Sequence, residues 1–312
     1  MNSDFEEIGG TILGEFETKR QDQHIINHSE ATDLLGLTML VYDYSNKFKL
    51  ENNETVESFV ENLKGGAEEL GLSNERQKAL EELSEKSPHG RVVDFISDKE
   101  TDIQVAITIS EVNSRICVVF RGSESSSDWY YDLMITKHNL HDDVWVHKGF
   151  HQQLTKNGTY DKLLESVNKL ANENPAYKIY VTGHSLGAAL STLFGYMLSR
   201  ERPDKEIVVV SFASPRVGDE NWKNSFDSKS NLVHYRVTNS RDVVTAIPMI
   251  FYKHVGINIS LEDDKYEIFS KDCEYPWYRY SLFNCWSVGD HDCDLYYKRL
   301  VKHNWDSFFE NI

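Results

Sequence analysis

At 312 residues, 40% hydrophobic and 27% charged, the chain can bury a substantial core without disulfide or metal staples. Thirty-three Lys and Arg against 50 Asp and Glu give a net charge of −17, which argues against a phosphate-backbone partner and against docking on anionic lipid by charge alone. Apolar runs such as Ile116 to Phe120 fall far short of the ~20 residues of a membrane-spanning helix, and MNSDFEEIGG lacks the basic start and apolar core of a secretory signal, so a cytoplasmic protein is expected.

Residues 1–27 are polar and pattern-poor and read as an arm or loose cover. Leu34, Leu37, Leu40, Val41 and Tyr44 recur at helical spacing and predict a helix over 29–44. Two more amphipathic helices are expected near 54–63 and 73–85. From Arg91 the texture changes. RVVDFIS, IQVAITIS and RICVVF are strands rich in β-branched residues. Then come a helix over 151–171, the strand KIYVT, a helix over 186–200, the strand IVVVSFA, a short helix near 219–226 and the strand LVHYRVT. Short apolar strands alternating with amphipathic helices predict an α/β fold with a mostly parallel sheet covered on both faces. The expected organisation is an N-terminal helical segment, 1–90, packed on a body spanning 91–312.

Cys117 lies within an apolar strand and is expected to be buried and inert. Cys273, Cys285 and Cys293 are expected as free thiols in the cytosol, with a disulfide open to an exported protein. No pair has C-x2-C spacing, so no zinc site is expected.

KIYVT runs into Gly183-His184-Ser185-Leu186-Gly187 and then into a helix, matching the G-x-S-x-G nucleophile elbow. The tight turn needs small flanking residues, lifts the Ser hydroxyl over the sheet edge and points a helix N-terminus at developing negative charge. The bare pattern arises by chance in about one chain in ten of this length. The β-branched strand before it and the apolar stripe after it make it specific. A Ser needs a base, and in this arrangement the order is Ser, acid, His, which leaves His254, His291 and His303 as candidates.

Five ordered segments now carry a resemblance: VVFRGSESSSDW (118–129), VHKGF (146–150), VTGHSLGAAL (181–190), SFASPRVGD (211–219) and RVTNSRDVVTAIP (236–248). The chain resembles the class 3 lipases, which include filamentous-fungal triacylglycerol lipases, from roughly Phe95 to the C-terminus. The resemblance implies an α/β-hydrolase fold with Ser185 as nucleophile, Asp242 as the acid and His291, in GDHDCD, as the base. Asp219 matches a structural turn of the family, His254 a non-catalytic position, and His303 is placed in mid-helix. A metal site from Asp290, His291, Cys293 and Asp294 is the lesser alternative. The N–H of Leu186 and, by resemblance, Ser123 are the expected oxyanion donors, with Arg121 in a structural ion pair. No cofactor is implied.

Residues 124–145 correspond to the family's lid. Trp129 with Leu133, Tyr130 with Met134 and Tyr131 with Ile135 form apolar i, i+4 pairs that would cover the site in water and face a lipid–water interface when open. The implied function is hydrolysis of tri-, di- or monoacylglycerol esters through an acyl-enzyme. Phospholipase A1 or another esterase of the family is the alternative, and a lipase-like binding or signalling module is the alternative from another class.

Overall fold

The computed structural model describes residues 10–13, 25–43, 73–74, 76–78, 90–123, 136–270 and 287–306. Its strands in chain order are β1 (Gly10–Leu13), β2 (Arg91–Asp98), β3 (Ile103–Ser110), β4 (Arg115–Phe120), β5 (Lys137–His141), β6 (Val144–His147), β7 (Lys178–His184), β8 (Ile207–Phe212), β9 (Leu232–Asn239), β10 (Ile257–Leu261) and β11 (Tyr266–Phe269). Helices among the described residues include α1 (His28–Asp43), α2 (Lys148–Thr155), α3 (Thr159–Glu173), α4 (Leu186–Glu201), α5 (Glu220–Asp227) and α6 (Cys293–Lys302).

Among the described residues, nine strands form one sheet in the order β1-β11-β10-β9-β8-β7-β4-β3-β2. The run β4-β7-β8-β9-β10 is parallel, and β2 and β3 add an antiparallel wing. Alternation along the strands feeds two cores. Ile116, Val118 and Phe120 of β4 meet α2, α3, α4 and α5 on one face, while Cys117 and Val119 meet α1 and α6 on the other.

Helix α1 is apolar nearly all round, and Leu34, Leu35, Leu37, Met39, Leu40 and Val41 are all buried, as a helix covered on several sides must be. Each such side chain contributes about 1.5–3 kcal/mol. The hydroxyl of Thr38 donates to the carbonyl of Leu34 and lies 3.4 Å from the Thr182 hydroxyl on β7. The N-terminal helix therefore sits directly beneath the elbow strand.

Several expectations are corrected. The helix over 151–171 is two helices, because Asn157 and Gly158 adopt φ 58° and 72° and interrupt it with a single 3-10 turn. Within the arm of 1–27, Gly10–Leu13 is an edge strand pairing with β11, and Ile25 and Ile26 are buried. His303 caps the C-terminus of α6 rather than lying in mid-helix. Of the stretch read as a lid, 137–145 belongs to the β5–β6 hairpin, turned by Asp142 and Asp143 at φ 41° and 61°, the left-handed pair a two-residue turn demands. Residues 124–135, with Trp129, Tyr130, Leu133 and Met134, lie outside the described residues, as do the helix expected at 54–63, most of the one at 73–85, and Cys273 and Cys285.

Candidate active site

Three chain segments converge at the C-terminal edge of the sheet. Ser185 occupies the turn between β7 and α4 with φ 59° and ψ −125°, a conformation costing a non-glycine residue about 1–3 kcal/mol. The surroundings hold it there. The Ser185 N–H donates to the carbonyl of Phe212 at 3.0 Å, extending the β7–β8 ladder. A Cβ on Gly183 would fall 2.5 Å from the Gly187 carbonyl oxygen, and one on Gly187 2.5 Å from that of Phe120. Only glycines let α4 approach β4 this closely.

Asp242 lies just beyond β9. Its Oδ1 accepts the Val244 N–H at 2.9 Å, and its Oδ2 accepts the Tyr296 hydroxyl at 2.7 Å. His291 closes the 3-10 turn Gly289–His291 that precedes α6. Its Nδ1 stands 2.9 and 3.1 Å from the two Asp242 oxygens, and its Nε2 stands 2.7 Å from the Ser185 hydroxyl. A carboxylate only accepts, so Nδ1 carries the proton and Nε2 is left to receive that of Ser185. All three residues are buried, at 4%, 3% and 5% exposure. This is the arrangement that activates a serine for attack on a carbonyl.

The turn bearing His291 is itself anchored. The Asp290 carboxylate accepts from Arg299 of α6 at 2.7 Å and the Asp290 carbonyl from Asn239 Nδ2 at 2.8 Å. These commitments, and those of His291, occupy two members of the alternative metal set. Among the described residues no group of His, Cys, Asp and Glu is arranged to hold a metal.

The rivals serve elsewhere. Asp219 caps α5 through the Trp222 N–H at 3.0 Å. His254 is bonded to the Thr245 carbonyl at 2.7 Å, and burial holds it well below the usual histidine range. His303 is bonded to the Glu262 carbonyl at 2.7 Å. Arg121 pairs with Asp102 at 2.7 Å. Cys117 and Cys293 are buried, and burial pushes the Cys117 thiol up to about 11.

A cavity of about 310 Å³ opens over the elbow, lined by Ser123, Ser185, His291 and Val288 among others. Ser123 is thus on the wall of the cavity that Ser185 and His291 also line. The Leu186 N–H belongs to the first turn of α4, where backbone donors have no intrahelical partner. Tyr42, Arg76 and His184 also line this cavity. Sequence reasoning missed Tyr42, Arg76 and Tyr296 because their place depends on tertiary proximity. Tyr296 stands five positions after His291 in the LYY of α6, and nothing local distinguishes it from its core neighbour Tyr297.

Residues 117–252 match the family model described as Lipase (class 3). Phospholipase A1-II 3 of Oryza sativa subsp. japonica is 34% identical over 176 residues, covering 47% of this chain and 42% of that protein. Secreted mono- and diacylglycerol lipase A of Penicillium cyclopium is 29% identical over 167 residues, covering 53% of each. The matches therefore span about half the length of these curated relatives. Among solved structures, Rhizomucor miehei triacylglyceride lipase superposes with a TM-score of 0.67 at 22% identity, covering 84% of this chain and 92% of that one. The lipase of Rhizopus microsporus var. chinensis gives 0.66 at 23% identity, covering 85% of each. These likenesses establish the α/β-hydrolase fold.

Proposed function

We propose that this chain, whose residues 117–252 match the class 3 lipase family model, is a serine hydrolase of carboxylic esters acting on neutral glycerolipids. The single observation that carries the reading is the hydrogen-bonded line from Asp242 through His291 to Ser185. In the reaction, His291 Nε2 takes the Ser185 proton as Oγ bonds to the ester carbonyl carbon. The carbonyl electron pair moves onto oxygen, which the Leu186 and Ser123 amides would receive, each donor being worth about 3 kcal/mol. The C–O bond to the alcohol then breaks, and the alcohol leaves with the proton from His291. Water repeats the sequence on the acyl-enzyme, releasing the acid and restoring Ser185.

The test is hydrolysis of p-nitrophenyl butyrate by the wild type beside Ser185→Ala. The reading requires activity that disappears in the variant. Fluorophosphonate labelling separates an enzyme from a binding module of the same fold, since only an activated, accessible serine reacts.

A second reading, phospholipase A1, is favoured by the rice phospholipase among the relatives. Release of fatty acid from monoolein and diolein, compared with release from the sn-1 position of phosphatidylcholine vesicles, decides between the two. The apolar pairs Trp129–Leu133 and Tyr130–Met134 in the sequence support a cover over the site. Deleting 128–135 is expected to raise turnover of soluble ester relative to emulsified ester, and equal falls on both would overturn the cover.

A further inference from the structure

Helix α1 ends beside the elbow, and Tyr42 in its last turn reaches His184, the residue before the nucleophile. The Tyr42 hydroxyl is 3.0 Å from His184 Nδ1, and His184 Nε2 is 2.9 Å from the carbonyl oxygen of His291. The proton positions in this chain are fixed by elimination. A carbonyl only accepts, so Nε2 of His184 carries a proton. The ring is buried at 4% exposure, and desolvation, helped by the neighbouring His291, holds it well below the usual histidine range, so it is neutral and Nδ1 bears a lone pair. Tyr42 must then be the donor. The direction of the relay is Tyr42 O–H to Nδ1, then Nε2–H to the His291 carbonyl.

The space around that hydroxyl is shaped for it. A Cβ on Gly122 would fall 1.8 Å from the Tyr42 oxygen and 2.7 Å from the His184 carbonyl oxygen, so a glycine is required where the phenol passes. The Arg76 guanidinium lies 5.8 Å from the centre of the Tyr42 ring. Arg76 also donates to the Met39 carbonyl of α1 at 3.1 Å and to the Asp294 carboxylate of α6 at 3.2 Å. It thereby ties the helix that carries Tyr42 to the helix that follows His291. The His184 ring packs against those of His291, at 4.8 Å between centres, and Tyr296, at 5.6 Å.

We propose that Tyr42 is a positioning residue for acyl transfer, fixing the His291 backbone through the His184 ring and so holding His291 Nε2 in line with the Ser185 hydroxyl. The inference rests on the serine-hydrolase reading and extends it to the N-terminal segment. Tyr42 needs no contact with substrate for this. Losing its hydroxyl releases His184 to turn, and the carbonyl it holds moves with it. A displacement of about 1 Å at a reacting group can cost about a hundredfold in the chemical step.

The experiment is a cycle of Tyr42→Phe, His184→Gln and the double variant, assayed on p-nitrophenyl butyrate beside the wild type and Ser185→Ala. Glutamine at 184 retains an N–H for the His291 carbonyl and removes the Nδ1 acceptor. Tyr42→Phe is expected to lower kcat about tenfold with KM within about twofold, and to cost less than about twofold once residue 184 is glutamine. Equal losses in both backgrounds, or wild-type kcat in Tyr42→Phe, overturn the relay. Absence of Ser185-dependent turnover in the wild type would overturn the hydrolase reading instead. In that event the ring nitrogens of His184, followed by 15N NMR, carry the test on the wild type itself. A protonated Nε2 with an unprotonated Nδ1 is expected, and the opposite tautomer overturns the proposal.

Discussion

The Tyr296 phenol donates to Oδ2 of Asp242 at 2.7 Å, and its oxygen receives the Asn239 N–H at 2.8 Å. One side chain of α6 thus orients the carboxylate and closes the end of β9. Tyr296→Phe removes a hydrogen bond to a charged group and leaves a buried N–H without it, a loss of about 2 kcal/mol in stability. With Asp242 freer to rotate, kcat on a soluble ester is expected to fall about tenfold at unchanged KM. Urea denaturation and steady-state kinetics check the two halves separately.

Ser185 at φ 59° makes two inactive variants differ in stability. Alanine keeps the Cβ and its strain. Glycine adopts this conformation freely, and after the larger entropy loss of a glycine on folding it retains a gain of about 1 kcal/mol. Ser185→Gly is therefore expected to unfold at a higher urea midpoint than Ser185→Ala, with neither hydrolysing ester. A lower midpoint would show that the elbow is unstrained.

Gly187→Ala places a methyl 2.5 Å from the Phe120 carbonyl oxygen, against backbone that cannot swing aside. Helix α4 must then lift from β4, carrying Ser185 and the Leu186 N–H with it. A fall in kcat of about a hundredfold is expected, in a protein whose circular dichroism still reports the fold.

Arg299 and Asp290 form a buried pair at 2.7 Å, with 4% and 5% exposure. Removing Arg299 leaves the buried Asp290 carboxylate with only the half-exposed Arg241 at 3.5 Å, so Arg299→Met is expected to cost about 3 kcal/mol. Adding Asp290→Asn removes that charge and is expected to restore part of the loss. A double variant no more stable than Arg299→Met would show that the pair is not what holds the turn.

Acid should destabilise the fold through its buried histidines. Burial holds His184, His234 and His254 well below the usual value of about 6.5. Between that value and their folded-state values, the unfolded chain binds protons that the folded chain does not, so stability falls as pH falls through this window. Each such histidine contributes about 1.4 kcal/mol per pH unit. His234→Gln is expected to make the slope of unfolding free energy between pH 6.5 and 5 shallower by about that amount. An unchanged slope would mean that His234 is protonated in the folded state.

The parallel sheet and the elbow were legible because they are written locally. A β-branched run, two glycines flanking a serine and an apolar helical stripe all lie within some twenty residues of Ser185. His291 was reached only through the ordered motifs of a resemblance. Its hydrogen-bond partners are 49 and 106 positions away, and GDHDCD looks locally like any acidic loop. The break at Asn157–Gly158 was hidden because Leu154, Leu163 and Val167 keep facing the same core across it. The β5–β6 hairpin escaped because its turn uses Asp142-Asp143 instead of the stronger Asn-Gly or Asp-Gly signal. Tyr42 and Tyr296 had no local sign at all, since a phenol in an apolar helix reads as core until its neighbours are known.

The two ends of the described chain are laced together beneath the sheet. The His28 N–H donates to Asp306 at 2.7 Å, the His28 ring is bonded to the Leu300 carbonyl at 2.6 Å, and the Trp305 indole donates to the Ile26 carbonyl at 2.8 Å. A ribosome therefore releases α1 long before its partner α6 exists, and the apolar surface of α1 must wait, shielded or chaperoned, for some 250 residues more. His291 and its anchoring helix arrive at the very end of that wait. A nascent chain that holds the elbow but not yet residue 291 lacks the imidazole that stands 2.7 Å from the Ser185 hydroxyl in the fold, so the order of synthesis completes the hydrogen-bonded line last.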